Sequence, residues 1–275
     1  MDDLKLVLKE REKDSHKGEN GTVLVIGGSK DFVGAPALAG LAALRTGIDL
    51  VVVAAPYRTA WTINTYSPDL ITKKLHGEFF VKAHARQVFD MVPNFDVICI
   101  GSGMATRPET ESFVREVCSE VVTRPKVIDA DAIKALHGMQ VANAVFTPHA
   151  KEFEIYTGQK LPDKEKEKTD LLKSYASRET VFLLKGPVDL ITDGSRVRRN
   201  TTGNPGMTVG GTGDVLAGLC AGLLAHNTGD KFHAACAAAF LNGKIGDELY
   251  RKMGYGFTAG DMIHEIPASI SRCLR

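Results

Sequence analysis

The sequence predicts a single α/β domain with a mostly parallel central sheet, and three observations carry that reading. Continuous apolar, β-branched runs such as Thr22-Val23-Leu24-Val25-Ile26 recur along the chain, and such runs belong to strands buried on both faces. They alternate with helix-length segments at the spacing of βαβ units. Several of the turns that would close these strands are rich in glycine. A chain of 275 residues is long enough for one large core. No linker, low-complexity stretch or solenoid repeat divides it, so residues 1–275 are read as one domain.

Residues 4–13 have the pattern of a short amphipathic helix, and 22–26 that of the first buried strand. A helix of small residues is expected over 35–46, a strand over 48–54, a helix over 83–91, a strand over 96–100, a helix over 109–122 and a strand over 126–128. Beyond the short strand at 145–146 the rhythm changes. A charged helix is expected over 163–176, the mixed-sign run 163–168 being a solvated face. Three short strands follow over 181–184, 189–192 and 196–199, and Asp193-Gly194 between the last two is a two-residue hairpin signal. Helices over 212–225, 231–251 and 259–273 finish the chain.

Lys and Arg number 34 against 33 Asp and Glu, a net charge of +1. Such a chain has no global field to draw it onto nucleic acid or an anionic membrane, so any anion it binds is held by local groups. Five cysteines, without CxxC spacing, suggest neither a disulfide framework nor a zinc site and point to a reducing, cytoplasmic setting. The acidic start Met1-Asp2-Asp3 has no apolar region behind it as a secretory signal would. The most apolar stretch, 215–225, falls short of the roughly 20 residues that span a bilayer. A soluble protein without nucleic-acid or membrane partners is expected.

The strongest local signal runs from Asn204-Pro205-Gly206-Met207 through Gly210-Gly211-Thr212-Gly213-Asp214 into an apolar helix. Gly210, Gly211, Thr212 and Gly213 allow a turn whose N–H groups converge at a helix N-terminus, a nest for phosphate. Asp214, in the first turn, has a structural reading as a helix cap. A carboxylate beside an anion nest opposes the anion, however. A general base that takes a proton from a hydroxyl while the nest holds a phosphoryl group accounts for it better. No GxxxxGK[ST] occurs, so this is not a P-loop, and the first turn, from Gly27 to Ala35, lacks the GxGxxG dinucleotide fingerprint.

Ligands of open α/β sheets sit at the carboxyl ends of strands. Gly27-Gly28-Ser29, Gly101-Ser102-Gly103 and Asp129-Ala130-Asp131 close three of them. The first turn either contacts a ligand or packs its helix closely on the sheet, and Asp131 is expected to cap a helix. His149, after Thr147-Pro148, is the one histidine of eight singled out at such an edge, with a structural role as the alternative. Lys185, before Gly186-Pro187, either reaches a nucleotide phosphate or snorkels at a sheet edge. No histidine shows metal-ligand spacing, so no metal-binding residue is assigned.

Together, the Asn204 to Gly218 segment, Thr147-Pro148-His149 with Glu152, Lys185-Gly186-Pro187, and Gly27-Gly28-Ser29 with Gly34-Ala35 resemble the ADP- or ATP-dependent NAD(P)H-hydrate dehydratases, in the family's order from about residue 15 onward. The resemblance implies a ribokinase-like three-layer αβα fold with a mostly parallel central sheet and no separate lid domain. It further implies the absence of a companion epimerase domain, and a homo-oligomer, a tetramer being the expected form, whose subunits cover each other's sites. The implied reaction is dehydration of the S epimer of hydrated NADH or NADPH, driven by phosphoryl transfer from ADP or ATP with Mg2+ bridging the phosphates. By the same resemblance Asp214 is the base. Ala35, Gly103, His149 and Asp214 line the hydrated dinucleotide, and Lys185, Gly186, Pro187, Val188, Asp189 and Gly213 contact the nucleotide. The chain departs from the family's usual pattern at Ala150-Lys151, where Pro-Gly commonly follows the histidine, and at Asp189, commonly a threonine. A kinase for a hydroxyethylthiazole- or hydroxymethylpyrimidine-type alcohol would use the same nest and base. A non-catalytic nucleotide-binding regulator would use the nest alone.

Overall fold

The computed structural model describes residues 2–8 and 10–275. In chain order its elements are α1 (Asp2–Val7), β1 (Thr22–Ile26), α2 (Gly34–Leu44), β2 (Leu50–Pro56), α3 (Tyr57–Tyr66), β3 (Ile71–Leu75), α4 (His84–Met91), β4 (Val97–Ile100), α5 (Pro108–Glu120), β5 (Lys126–Ile128), α6 (Ala130–Ala135), β6 (Ala144–Phe146), α7 (Ala150–Thr157), α8 (Glu165–Tyr175), β7 (Thr180–Leu184), β8 (Asp189–Thr192), β9 (Val197–Asn200), α9 (Thr212–His226), α10 (Lys231–Met253) and α11 (Ala259–Leu274). The nine strands form one sheet in the order β3-β2-β1-β4-β5-β6-β7-β8-β9. Neighbours from β3 to β7 run parallel, and β8 and β9 extend the sheet antiparallel. Among the described residues no strand stands outside this sheet to form a lid.

Side chains alternate across a strand, so the apolar run of β1 sends Val23 and Val25 into one core and Leu24 and Ile26 into another. Helices α1, α2, α3, α9, α10 and α11 close the first core, and α4 to α8 close the second, where Phe146 stacks on Phe182 and Phe80 on Phe113. This is the expected three-layer arrangement. Between β1 and β4 the strand order reverses direction. The chain leaves β1 into α2 on one face and leaves β4 into α5 on the other. A crevice opens between two such departures, at the carboxyl ends of the strands.

Helix α9 is buried along most of its length and lies on α2 at backbone distance. A side chain at Gly218 would collide with the Ala39 carbonyl oxygen, and one at Gly222 with Ala43 and Thr46.

Several boundaries differ from expectation. Helix α1 covers only Asp2–Val7; Lys9 of the expected helix lies outside the described residues, and Arg11 is drawn away to Asp49 at 3.1 Å. Asp49 also accepts the N–H groups of Gly18 (2.9 Å) and Asn20 (3.1 Å), so β2 starts after it, at Leu50. The sequence reading does not anticipate α3 and β3. Tyr57–Tyr66 is rich in aromatic and β-branched residues that favour helix weakly, and β3 is an edge strand that exposes Ile71 and Lys73. The expected two-residue hairpin is a four-residue loop, because Thr192 pairs with Val197. Asp193 closes it by accepting the N–H groups of Ser195 (3.0 Å) and Arg196 (2.7 Å), an Asx-type turn. Among the described residues no helix is long and apolar enough to cross a membrane.

Replacing Gly218 by alanine forces α9 off α2. The expected cost is about 1–3 kcal/mol of stability, read as a lowered urea midpoint, and an unchanged midpoint contradicts the close approach.

Candidate active site

The turns after β1 and β4 interlock at the crevice. The Gly28 N–H donates to the Ser102 carbonyl oxygen at 2.8 Å. Gly101, at φ +131°, presses so closely on the Asp129 carbonyl oxygen that a side chain there has no room. A Cβ at Gly103 would lie 2.9 Å from the Phe32 Cβ and 3.2 Å from the Ala35 Cβ. Ala35 and Gly103 thus stand side by side, as a common ligand wall requires.

The glycine segment is a turn locked from beneath. Asn204 accepts the Gly206 N–H (2.9 Å) and donates its amide to Asp247 Oδ1 on α10 (3.0 Å), while Asp247 Oδ2 accepts the Gly203 N–H (3.0 Å). Gly211, at φ +95°, immediately precedes α9, wedged where a Cβ would meet Leu38 at 2.7 Å and Ala259 at 2.9 Å. The Thr212 hydroxyl donates to the Met207 and Val209 carbonyls (2.8 and 3.2 Å), which ties the turn and points it away from the nest. What Thr212 offers the nest is therefore its N–H. The leading N–H groups of a helix have no partner within it, and the space beside Gly210 is open.

Across from the nest, Lys185 leaves β7 and donates to Asp129 Oδ1 at 3.1 Å, with Glu152 Oε2 at 3.7 Å. A Cβ at Gly213 would lie 3.4 Å from Lys185 Nζ, so the ammonium faces the start of α9. Burial alone lowers this lysine's pKa, but the carboxylates of Asp129, Glu152 and Asp214 outweigh it and hold the ammonium above the usual lysine range. His149 starts α7 with a capping box: its Nδ1 accepts the Glu152 N–H (3.2 Å), and Glu152 Oε2 accepts the His149 N–H (2.9 Å). Its side chain stays 52% exposed, so the capping role leaves a ring face free. The Lys185 N–H donates to the Pro148 carbonyl (2.8 Å), which joins the His149 and Lys185 turns.

Asp214 stands in the first turn of α9 amid these groups. Burial first, then the Asp129 and Asp131 carboxylates, push its pKa up to about 6, while Ser102 and Lys185 pull the other way. A carboxylate that titrates close to neutrality is suited to take and release a proton. Asp214 thus lies within the electrostatic reach of Ser102, Asp129 and Lys185.

Asp189 departs from this picture. Its carboxylate accepts the Gly186 N–H (3.0 Å) and the Asn200 amide (2.9 Å), so it closes the turn of exposed Gly186 and Pro187 and half-buried Val188. Its side-chain oxygens serve the hairpin. Asp131 does not cap α6: it accepts the Ala105 N–H (2.9 Å) and pairs with Lys134 (2.8 Å), tethering the loop after β4. The sequence reading gives no role to Glu152 as the Lys185 partner, and none to Asp129 beyond its place at a strand end. Both sit at strand ends or helix starts beside the expected ligands, which is the signal that could have singled them out.

A family model described as NAD(P)H-hydrate dehydratase matches residues 23–268. The chain belongs to the NAD(P)H-hydrate dehydratase family. It is 44% identical over 265 residues to the bifunctional NAD(P)H-hydrate repair enzyme Nnr of Pyrobaculum aerophilum, a match covering 95% of this chain and 53% of that protein. The chain therefore spans about half the length of such bifunctional relatives. It is 36% identical over 271 residues to the ADP-dependent (S)-NAD(P)H-hydrate dehydratase of Cenarchaeum symbiosum, covering 97% of this chain and 94% of that one. Among solved structures, the ADP/ATP-dependent NAD(P)H-hydrate dehydratase of Bacillus subtilis co-crystallised with ATP and Mg2+ superposes with a TM-score of 0.80 at 27% identity, covering 98% and 95% of the two chains. The ribokinase-like character of this dehydratase-family fold shows in Arabidopsis thaliana ribokinase, alike in fold alone (TM-score 0.57, 8% identity, 91% and 98% covered).

The raised Asp214 carries a stability cost. Between pH 3.8, the ordinary value, and about 6 the native state keeps a proton that the unfolded chain has lost, so stability falls as pH rises through that window. Asp214→Asn removes this cost. The variant is expected to be about 1–3 kcal/mol more stable than the parent at pH 7, with the gain gone below about pH 4; parallel denaturation curves across pH check the sign.

Proposed function

We propose that this chain catalyses the ADP- or ATP-dependent dehydration of the S epimer of hydrated NADH or NADPH, with release of AMP or ADP and phosphate. The observation that carries the reading is a half-buried carboxylate, Asp214, raised to about 6, at the mouth of a backbone phosphate nest and opposite a lysine ammonium. Family membership supports the substrate class. Asp214 takes the proton of the ring hydroxyl as its oxygen attacks the terminal phosphorus and the bond to the departing AMP or ADP breaks. Hydroxide is a poor leaving group and phosphate a good one. The phosphate ester then eliminates inorganic phosphate, the neighbouring ring carbon gives up a proton, and the double bond of the dihydronicotinamide is restored.

The Gly210 to Gly213 N–H groups and Lys185 would hold the transferring phosphoryl group, with the turn of Gly186, Pro187, Val188 and Asp189 along the nucleotide. Ala35, Gly103 and His149 would line the hydrated dinucleotide. Among the described residues no group of three His, Cys, Asp or Glu side chains could hold a metal. Mg2+ would arrive on the nucleotide, supplying positive charge to its phosphates. Five buried free cysteines support a cytoplasmic setting. The exposed side chains of Tyr57, Trp61, Tyr66 and Ile71 support a homo-oligomer, expected to be a tetramer.

The test is purified protein with NADH hydrate, offered ADP and ATP separately. Regained reduced-nicotinamide absorbance with release of inorganic phosphate supports the proposal, whereas a stable phosphoester without that absorbance refutes it. Asp214→Asn is expected to keep nucleotide affinity and lose turnover by about 10²–10⁴-fold. Since the base must be ionised, kcat/KM of the parent falls as pH drops through about 6. His149→Ala is expected to raise KM for the hydrate while leaving that for ADP in place.

A further inference from the structure

Asp129 has a claim to a role that neither capping nor packing explains. It is 2% exposed, yet it carries a carboxylate at the end of a fully buried strand. Its Oδ1 accepts the Thr147 hydroxyl at 2.7 Å and the Lys185 ammonium at 3.1 Å. Its backbone is gripped as well, with its N–H on the Ile100 carbonyl and its own carbonyl against Gly101. The N-terminal boundary of α6 falls at Asp129, but the side chain makes no cap hydrogen bond there. Burying a carboxylate costs several kcal/mol unless it is paired, and an apolar residue of similar size serves folding as well or better.

The pairing is also unbalanced. Lys185 faces Asp129 from the end of β5, Glu152 from α7 and Asp214 from α9, three carboxylates around one ammonium. Asp214 in turn faces Asp129, Asp131 from α6, Lys185 from β7, and Ser102 and the Cys99 thiol from β4 and the turn after it. A fold selected for stability alone has no use for this excess of negative charge.

Building on the dehydratase reading above, we propose that Asp129 is a positioning residue for the reaction, its buried carboxylate clamping the Lys185 ammonium toward the α9 nest and the start of the helix that carries Asp214. The glycine at 213 keeps the path between the ammonium and the nest clear. After burial, Asp129 is the largest influence that raises Asp214. The same carboxylate therefore serves both ends of the phosphoryl transfer, the cation that meets the phosphate and the base that meets the hydroxyl.

Asp129→Asn tests this. The acid limb of kcat/KM for hydrate and ADP is expected to move about one pH unit lower, a tenfold change in proton affinity. The carboxyl band of Asp214, followed by infrared spectroscopy in the ligand-free protein, shifts with it. Lys185→Met, which removes the opposing charge, is expected to move both upward. Should Asp129→Asn fail to fold, Asp129→Ser, which keeps a hydroxyl for Thr147 and Lys185, takes its place. A folded variant whose acid limb and Asp214 band stay at the parent's position overturns the proposal, as does a shift in the same direction for the Asp129 and Lys185 variants. The infrared titration needs no turnover, so a parent protein inactive on the hydrate would refute the dehydratase reading and leave the Asp129 result standing by itself.

Discussion

The contact between α9 and α2 at backbone distance is the constraint on which the site depends. Two glycines one turn apart, Gly218 and Gly222, let the helices meet where any side chain would strike main-chain atoms of Ala39 and Ala43. A helix packed this closely cannot slide or roll, so its first turn is held in place too. That turn carries the nest and Asp214, and its leading N–H groups bring the positive end of the helix dipole with them. The support continues below it, where Asp247 of α10 holds Gly203 and Asn204, and Thr212 ties Met207 and Val209. The Asn204-Pro205-Gly206-Met207 segment is in this sense a strap that fixes the glycine turn from beneath.

Electrostatics set the second requirement. A chain of net charge +1 has no global field, so any attraction for an anion is local. Its local sources are the leading N–H groups of α9 and Lys185, a lysine surrounded by carboxylates that keep it charged. The arrangement is poor for stability, since burial of like charges around Asp214 raises it to about 6. The strain is confined to the crevice at the reversal of strand order. The buried strands and two cores on either side of the sheet carry the compensating apolar burial.

The residues that were readable in advance are those whose local pattern has one physical meaning. A five-residue apolar run such as β1 is buried on both faces in almost any fold that contains it, and a glycine run before an apolar helix marks a turn into the helix N-terminus. Elements at the margin were not readable. The edge strand β3 buries only part of itself, α3 is built of residues with weak helix preference, and the β8–β9 loop depends on Asp193 reaching two N–H groups further along the chain. The role of Lys185 was likewise undecided from sequence, because a snorkelling lysine and a phosphate-contacting lysine occupy the same kind of strand end. In the fold Asp129 and Glu152, from two other elements, pair with Lys185.

The sequence by itself determined the sheet and the glycine turn that leads into α9, because each follows from residues adjacent in the chain and from periodicities of two or of 3.6. Only the tertiary structure decided which charged groups meet. Asp129, Glu152, Lys185 and Asp214 come from four elements brought together by strand order, and the proton affinity of one depends on the charges of the others across space. Asp189 shows the same limit from the other side: its position matched a nucleotide contact by resemblance while its type departed from the usual threonine, and only the fold shows its oxygens on the Gly186 N–H and Asn200. Coulomb interaction and desolvation act on distance in space, which chain separation does not encode.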